Sequence, residues 1–180
     1  MTGDQTPGPR AGSGTPLDLG LGTRHVVVMG VSGSGKTTVA HGIAAATGLL
    51  FAEADDFHSR ANVDKMSAGT PLDDADRWPW LDELNRLLRG ERDAVLACSA
   101  LKDSYRKRLL AGVGEWRLFF LSGDKALIGS RLAARKHRYM PASLLDSQFA
   151  ALEPPAQAIR IDVAAPIERS VDAIVQALER

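Results

Sequence analysis

Eight consecutive residues carry the strongest chemical signal in the chain. Gly30-Val31-Ser32-Gly33-Ser34-Gly35-Lys36-Thr37 has the G-x-x-x-x-G-K-[ST] spacing of a phosphate-binding loop. Its glycines permit backbone conformations that aim successive N–H groups into one anion nest. A helix opening at its end adds partial positive charge. Lys36 has the reach for β- and γ-phosphates, and the Thr37 hydroxyl is a ligand type for Mg²⁺. Gly30, Val31, Ser32, Gly33, Ser34, Gly35, Lys36, Thr37 and Thr38 are therefore the candidate contacts to a nucleoside triphosphate.

Two further charged groups suit phosphoryl transfer. Glu53, Asp55 and Asp56 follow a short apolar stretch. A carboxylate there takes a proton from an attacking hydroxyl or holds a metal through water. Arg131, Arg135, Lys136 and Arg138 put four permanent positive charges within eight residues. Arginine forks stabilise charge on a phosphoryl group in transfer, and a basic lid closing over the nucleotide supplies them while expelling water. Other triphosphate users fit less well. No Asp-x-x-Gly or Asn-Lys-x-Asp follows the loop, as a GTPase requires, and the third apolar run ends in Cys98-Ser99, not in the acid of a motor ATPase.

The elements that must place these groups show in period and punctuation. His25–Met29 is a β-branched run ending at glycine, which marks a buried parallel strand. Val39–Thr47 is Ala-rich and helical, ended by Gly48. Leu49–Ala54 is a second strand, and its carboxyl end lies beside the phosphate loop, where ligands bind in a parallel sheet. Further strands are expected over Ala94–Cys98, Trp116–Leu121 and Ala158–Val163. Helices are expected over Arg60–Ser67, Asp76–Arg89, Lys102–Ala111 (its basic residues outward), Lys125 to about Arg135, Ser143–Leu152, and from Pro166 to Leu178. Five strands alternating with helices make a three-layer α/β domain over residues 25–180. Residues 1–24 form a Gly/Pro-rich zone with almost no large apolar side chains, a disordered tail on composition.

Composition sets outer bounds. With 180 residues, 44% apolar and 24% charged, the chain suits one domain with an ordinary core. Lys+Arg and Asp+Glu both count 22, so no global basic field is there to hold nucleic acid. One cysteine, Cys98, excludes an internal disulfide framework and a cysteine-based zinc site. No apolar run approaches the roughly 20 residues that span a bilayer, and no secretory h-region is visible. A cytoplasmic protein without membrane or nucleic-acid partners is the expectation.

Several stretches carry a resemblance. They are Met29 through Lys36, Ala54-Asp-Asp-Phe-His58, Asn62 with Lys65-Met66, and Gly69-Thr-Pro-Leu-Asp-Asp-Ala-Asp-Arg77 with Pro79-Trp80-Leu81. Then come Cys98-Ser-Ala-Leu-Lys102, Tyr105-Arg106, Phe120 through Asp124, Arg131-Leu, Gln148-Phe149 and Leu152-Glu-Pro-Pro155. In this order the chain from His25 to Arg180 resembles the gluconokinases, P-loop kinases related to shikimate and adenylate kinases.

The resemblance implies a five-stranded parallel sheet of order 2-3-1-4-5, a small lid at about 135–142 and a homodimer. It implies ATP-dependent phosphorylation of D-gluconate at its 6-hydroxyl, giving 6-phosphogluconate and ADP. Asp55 matches the family's acid at the second strand end and would orient the sugar hydroxyl and take its proton. Lys36 and Arg135 would be the catalytic cations, with Arg131 and Arg135 added to the nucleotide contacts. Thr37, and Glu53 through water, would hold Mg²⁺. His58, Lys65, Arg77, Lys102 and Arg106 sit in matching motifs and, with Asp55, are candidates to bind the sugar acid's carboxylate and hydroxyls. Trp78 and Trp80 are expected in the core or a subunit contact.

The sequence departs from the family in places. Arg135-Lys-His-Arg-Tyr139 replaces the usual Arg-Lys/Glu-Gly-His-Phe, Ser59 stands where proline is common, and Asp73 where asparagine is, adding negative charge near the sugar. The alternative reading is a related small-molecule kinase acting on another sugar acid, shikimate or a nucleoside. A rival from another class is a protein that binds ATP as a switch without turnover.

Overall fold

Apolar strands need cover on both faces, and the strands His25–Met29 and Ala94–Cys98, buried at every position, receive it. The computed structural model describes residues 25–90, 92–134 and 142–179. The expected tail, and the expected lid up to residue 141, lie outside them.

Strand β1 (His25–Met29) leads through the phosphate loop into helix α1 (Lys36–Thr47), and β2 (Leu50–Glu53) runs into a 3₁₀ turn at Ala54–Phe57. Helices α2 (Arg60–Ser67) and α3 (Asp74–Leu88) precede β3 (Ala94–Cys98). Helix α4 (Asp103–Leu110), β4 (Trp116–Ser122), α5 (Lys125–Ala134), α6 (Ala142–Ala151), β5 (Ile159–Asp162) and α7 (Ile167–Leu178) complete the order. The five strands pair in parallel in the order β2-β3-β1-β4-β5, as expected from the resemblance.

Side-chain alternation sorts the strands between two cores. Val26 and Val28 of β1, Val95 and Ala97 of β3, and Phe119 and Leu121 of β4 face α1 and α7. Val27 and Met29, Leu96 and Cys98, and Leu118 and Phe120 face α3 and α4. Helix α1 approaches α7 closely: a Cβ on Gly42 would stand 2.6 Å from Val171 Cγ2.

The register aligns Met29 with Cys98 and with Phe120. The carboxyl ends of β1, β3 and β4 therefore lie level, and the chain's turns there form one rim. Two boundaries differ from the expected ones for a local reason. Helix α3 starts two residues early because Asp73 caps it, accepting the Asp76 N–H while the Asp76 carboxylate accepts the Asp73 N–H. Pro166 is the N-cap of α7 and not its first turn.

Candidate active site

At the end of β1 the chain must turn sharply under β4. Gly30 has φ +151°, and a Cβ there would stand 2.7 Å from Leu121 O and 2.8 Å from Ser34 Oγ. Gly33 has φ +82°, and a Cβ there would meet Leu132 Cδ1 of α5 at 2.1 Å. No side chain fits either place, so these two glycines set the loop's path. Gly35, also left-handed, is the N-cap of α1. The loop thus ends on a helix N-terminus with open N–H groups, which is an anion site by construction. Ser34 Oγ is buried and has no hydrogen-bond partner among the described residues, so a phosphate oxygen suits it. Lys36 Nζ donates to Val31 O at 3.2 Å and so lies folded across its own loop.

The acids of the second strand end come to the same place. Thr37 Oγ1 donates to Glu53 Oε2 at 2.6 Å, and Glu53 is 8% exposed. Two hard oxygens at a phosphate-binding helix end fit a cation such as Mg²⁺, which keeps most of its water and binds phosphate. Among the described residues no cluster of three His, Cys, Asp or Glu forms a closed metal cage. The buried Cys98 thiol reports on the surroundings. Burial pushes it up to about 12, and it also feels the charges of Asp55, Lys36 and Glu53. The end of β3 therefore lies among the loop's lysine and both carboxylates.

From Asp55 the site continues outward. His58 stacks on Trp80 with 4.4 Å between ring centroids, and Trp80 Nε1 donates to Ala54 O at 2.7 Å. Burial lowers the His58 pKa, Asp55 opposes that, and Arg77 adds to it. His58, Asp55 and Arg77 are thus within electrostatic reach of one another. Arg77 and Lys102 then flank the Tyr105 ring, at 5.4 and 5.2 Å from its centroid. Tyr105 Oη and Lys102 Nζ both donate to Asp74 Oδ1, at 2.5 and 2.9 Å. The Tyr105 and Lys102 hydrogen bonds hold the Asp74 carboxyl below its usual range.

The remaining candidates have other partners. Lys65 donates to both Asp76 oxygens at 2.7 Å, on the α2–α3 pair. Arg106 does not face outward with its neighbours Lys107 and Arg108. It is 6% exposed and donates to Ala100 O and Leu101 O. Those carbonyls belong to the turn after β3, where Ala100 has the left-handed φ of 41°. Arg106 thereby holds a strained turn whose next residue is Lys102. Asp73 accepts the Asp76 N–H at the start of its own helix. Trp80 is core, and Trp78 lies half-buried between Tyr105 and Arg108. Arg131 lies on α5, whose Leu132 touches the loop. Arg135 lies outside the described residues.

A cavity of about 730 Å³ opens between the 3₁₀ turn and α3, lined by His58, Trp80 and Asn62 with Asp56, Asp76 and Glu83. Three carboxylates and no Lys or Arg make it a poor place for an anionic group. Cationic groups gather instead at the Arg77–Lys102 end.

Asp74, Tyr105 and Gln148 are members of this site that the sequence did not single out for a role. Asp74 and Tyr105 stand in recognisable motifs, but 31 positions separate them, and only the packing of α3 on α4 brings them together. Gln148 had no local signal beyond its place in a motif.

The comparisons agree with this geometry. A family model described as an AAA domain matches residues 26–155. A gluconokinase of Gluconobacter oxydans is 48% identical over 141 residues, covering 76% of this chain and 79% of that protein. The chain belongs to the gluconokinase family. Among solved structures, a gluconokinase of Sinorhizobium meliloti superposes with TM-score 0.79 at 42% identity, covering 86% of this chain and 90% of that one. A sugar kinase of a Janibacter species superposes with TM-score 0.82 at 46% identity, covering 87% and 95%. In this gluconokinase-family chain the phosphate loop is the ATP side of the site. Among the described residues no helix is long and apolar enough to cross a membrane.

Proposed function

We propose that this protein phosphorylates D-gluconate at its 6-hydroxyl with Mg²⁺-ATP. The observation that carries this reading is the unbroken line of charged and polar groups from the phosphate nest through Asp55 and His58 to Arg77 and Lys102. It matches a substrate with a primary alcohol at one end and a carboxylate at the other. The 48% identity to a Gluconobacter gluconokinase supports the same acceptor.

In this reading the open amides of the loop, with Lys36, hold the β- and γ-phosphates and neutralise charge that builds on them, and Ser32 takes part through its hydroxyl. Thr37 Oγ1 is positioned to ligate Mg²⁺, and Glu53 to hold it through water. Held there, a Mg²⁺ ion would supply positive charge against the phosphates. Asp55 orients the acceptor's 6-hydroxyl and takes its proton as the oxygen bonds to the γ-phosphorus. The bond from that phosphorus to the β-phosphate bridging oxygen breaks, and its electron pair leaves with ADP. Because the transition state is loose, holding the alcohol in line is the larger part of Asp55's contribution. Arg77 and Lys102 receive the carboxylate, and His58, kept neutral, hydrogen-bonds a hydroxyl. Lys65 and Arg106 support this face through Asp76 and the Ala100 turn. Arg131 and Arg135 contribute positive charge from the lid side.

The same reading takes residues 25–180 as the kinase domain, 1–24 as a tail and about 135–142 as a lid. It places a homodimer in the cytoplasm, where the lone buried Cys98 meets no oxidant. A coupled assay for ADP with gluconate as sole acceptor tests the reaction, and ³¹P NMR of the product locates the phosphate. ADP release with shikimate, a nucleoside or another sugar acid, but not with gluconate, overturns the acceptor assignment. ATP affinity without turnover on any acceptor overturns the reaction.

A further inference from the structure

The loop that holds phosphate is itself held from α6. Gln148 Oε1 accepts the Ser32 N–H at 2.7 Å, and Gln148 Nε2 donates to Ser32 Oγ at 3.0 Å. One carboxamide thus grips both the N–H and the hydroxyl of a single loop residue 116 positions away. The pair of bonds also fixes which end of the amide is which, because the flipped amide would set NH₂ against N–H. Gln148 does not drift: its neighbours Leu145 and Phe149 on α6 pack into the core beside β1.

This grip has a chemical consequence. The Ser32 N–H is spent on Gln148, as the Ser34 N–H is on Val31 O, so Ser32 does not serve the phosphates with its amide. Its hydroxyl accepts from Nε2 and thereby keeps its own proton to donate. Ser32 is the third residue of the loop and is only half-buried, which leaves its hydroxyl proton available to a ligand.

We propose that Gln148 is a positioning residue that sets the Ser32 hydroxyl as a hydrogen-bond donor to the phosphoryl group in transfer. The inference rests on the kinase reading above and not on the identity of the acceptor. A carboxylate in place of the amide reverses the polarity. It would accept from the Ser32 O–H, withdraw that proton from the phosphoryl group, and add a negative charge beside it.

The test is steady-state kinetics on the full chain, with ATP and acceptor varied separately, for Gln148→Leu, Gln148→Glu, Ser32→Ala and the Ser32→Ala/Gln148→Leu double variant. A hydrogen bond to a charged group sets the expected scale. Gln148→Leu lowers kcat about tenfold and leaves the acceptor KM within about twofold. Gln148→Glu lowers kcat further, though it keeps an acceptor for the Ser32 N–H. In the Ser32→Ala background, Gln148→Leu lowers kcat by less than about twofold more, because the group it positions is gone. The proposal is overturned by a Gln148→Leu kcat within about twofold of the parent, by an equal penalty with and without Ser32, or by Gln148→Glu being no worse than Gln148→Leu. If Gln148→Leu does not fold, Gln148→Met, unbranched and of similar length, replaces it in the cycle. All ratios are read on whichever acceptor the parent turns over. Failure with gluconate therefore counts against the acceptor assignment alone, while the ratios decide the role of Gln148.

Discussion

On the ATP side of the cleft the work is done by main chain. Gly30, Gly33 and Gly35 hold φ values of +151°, +82° and +96°, and the loop runs into the N-terminus of α1. On the side proposed for the acceptor the work is done by side chains, and three of its cations are paired with acids while Arg77 donates to Leu72 O. Lys65 is bound to Asp76, Lys102 to Asp74 and Arg108 to Asp82, all across α3. Backbone amides neither titrate nor swing away, so the phosphate nest stands ready before ATP arrives. A cation already paired with a carboxylate must be shared with or released to an anionic acceptor, so acceptor binding is an exchange of partners. Mutations on the first side should therefore cost turnover, and mutations on the second should cost affinity.

The largest expected effect is at Lys36. Lys36→Ala should lower kcat by about 10³-fold, with an unchanged melting temperature, because it removes the side-chain cation from a nest that keeps its amides. Activity within tenfold of the parent would mean that the amides suffice and that the loop's lysine belongs to structure. Next comes Asp55→Asn, with kcat lowered by about 10²-fold. If only the acceptor KM moves, Asp55 belongs with the affinity side, and the line between the two regions has to be redrawn beyond it.

How much of this the sequence made legible follows the same division. The phosphate loop is legible locally: eight residues in a row specify the turn, the helix start and the charge, even though Gln148, Leu121 and Leu132 pack against it from afar. The sheet order came from the resemblance, and the alternation of strands and helices read directly from period. The acceptor side was legible only as a set of basic residues in motifs. Which acid each one meets depends on how α3 lies on α4. Arg106 looked like its neighbours on a basic helix. Only the turn at Ala100, with two carbonyls facing inward, explains why it is buried. Asp73 read from the sequence only as added charge, and the start of α3 shows that it is also the helix cap. Gln148 was silent because a polar residue on a helix gives no hint of a partner 116 positions back.

A smaller effect separates charge from packing on the acceptor side. Lys102→Met should raise the gluconate KM by about tenfold, leaving kcat and the ATP KM within about twofold, because one of two cations facing the carboxylate is lost. Asp74→Asn frees Lys102 of its counter-charge and should lower the same KM by about two- to threefold, the scale of an exposed pair. If both variants raise KM, the Asp74–Lys102 pair serves to hold α3 on α4, and binding does not proceed by exchange.

The smallest expected effect is on stability, and its pH windows distinguish the two sides without any substrate. The carboxyls of Asp74, Asp76, Asp82 and Asp103 are lowered by hydrogen bonds from Tyr105, Lys65, Arg108 and Lys107 respectively. Their contribution is present above the ordinary 3.8 and is lost as pH falls through the lower folded values. Lys65, Lys102 and Lys107 are raised by the bonds to Asp76, Asp74 and Asp103. Their contribution is complete below 10.5 and is lost as pH rises through the higher folded values. His58 adds a window of its own. Burial disfavours its protonated form, and Arg77 does so too, outweighing the opposite pull of Asp55. Below the ordinary 6.5 the unfolded chain binds a proton at this residue that the folded chain refuses, so stability falls as pH drops from there toward the folded value. All eight of these groups lie on the acceptor side, in the 3₁₀ turn's exit, α2, α3 and α4. Melting curves from pH 4 to 7 should therefore show a shallow decline beginning near 6.5. His58→Gln should flatten that decline even though losing the stack on Trp80 lowers the melting temperature overall. Hydrogen exchange at pH 5 should show the first loss of protection in α2 and α3, while β1 and α1 stay protected. Equal slopes for the parent and His58→Gln would remove His58 from the account, and earlier opening of the phosphate loop would reverse the comparison between the two sides.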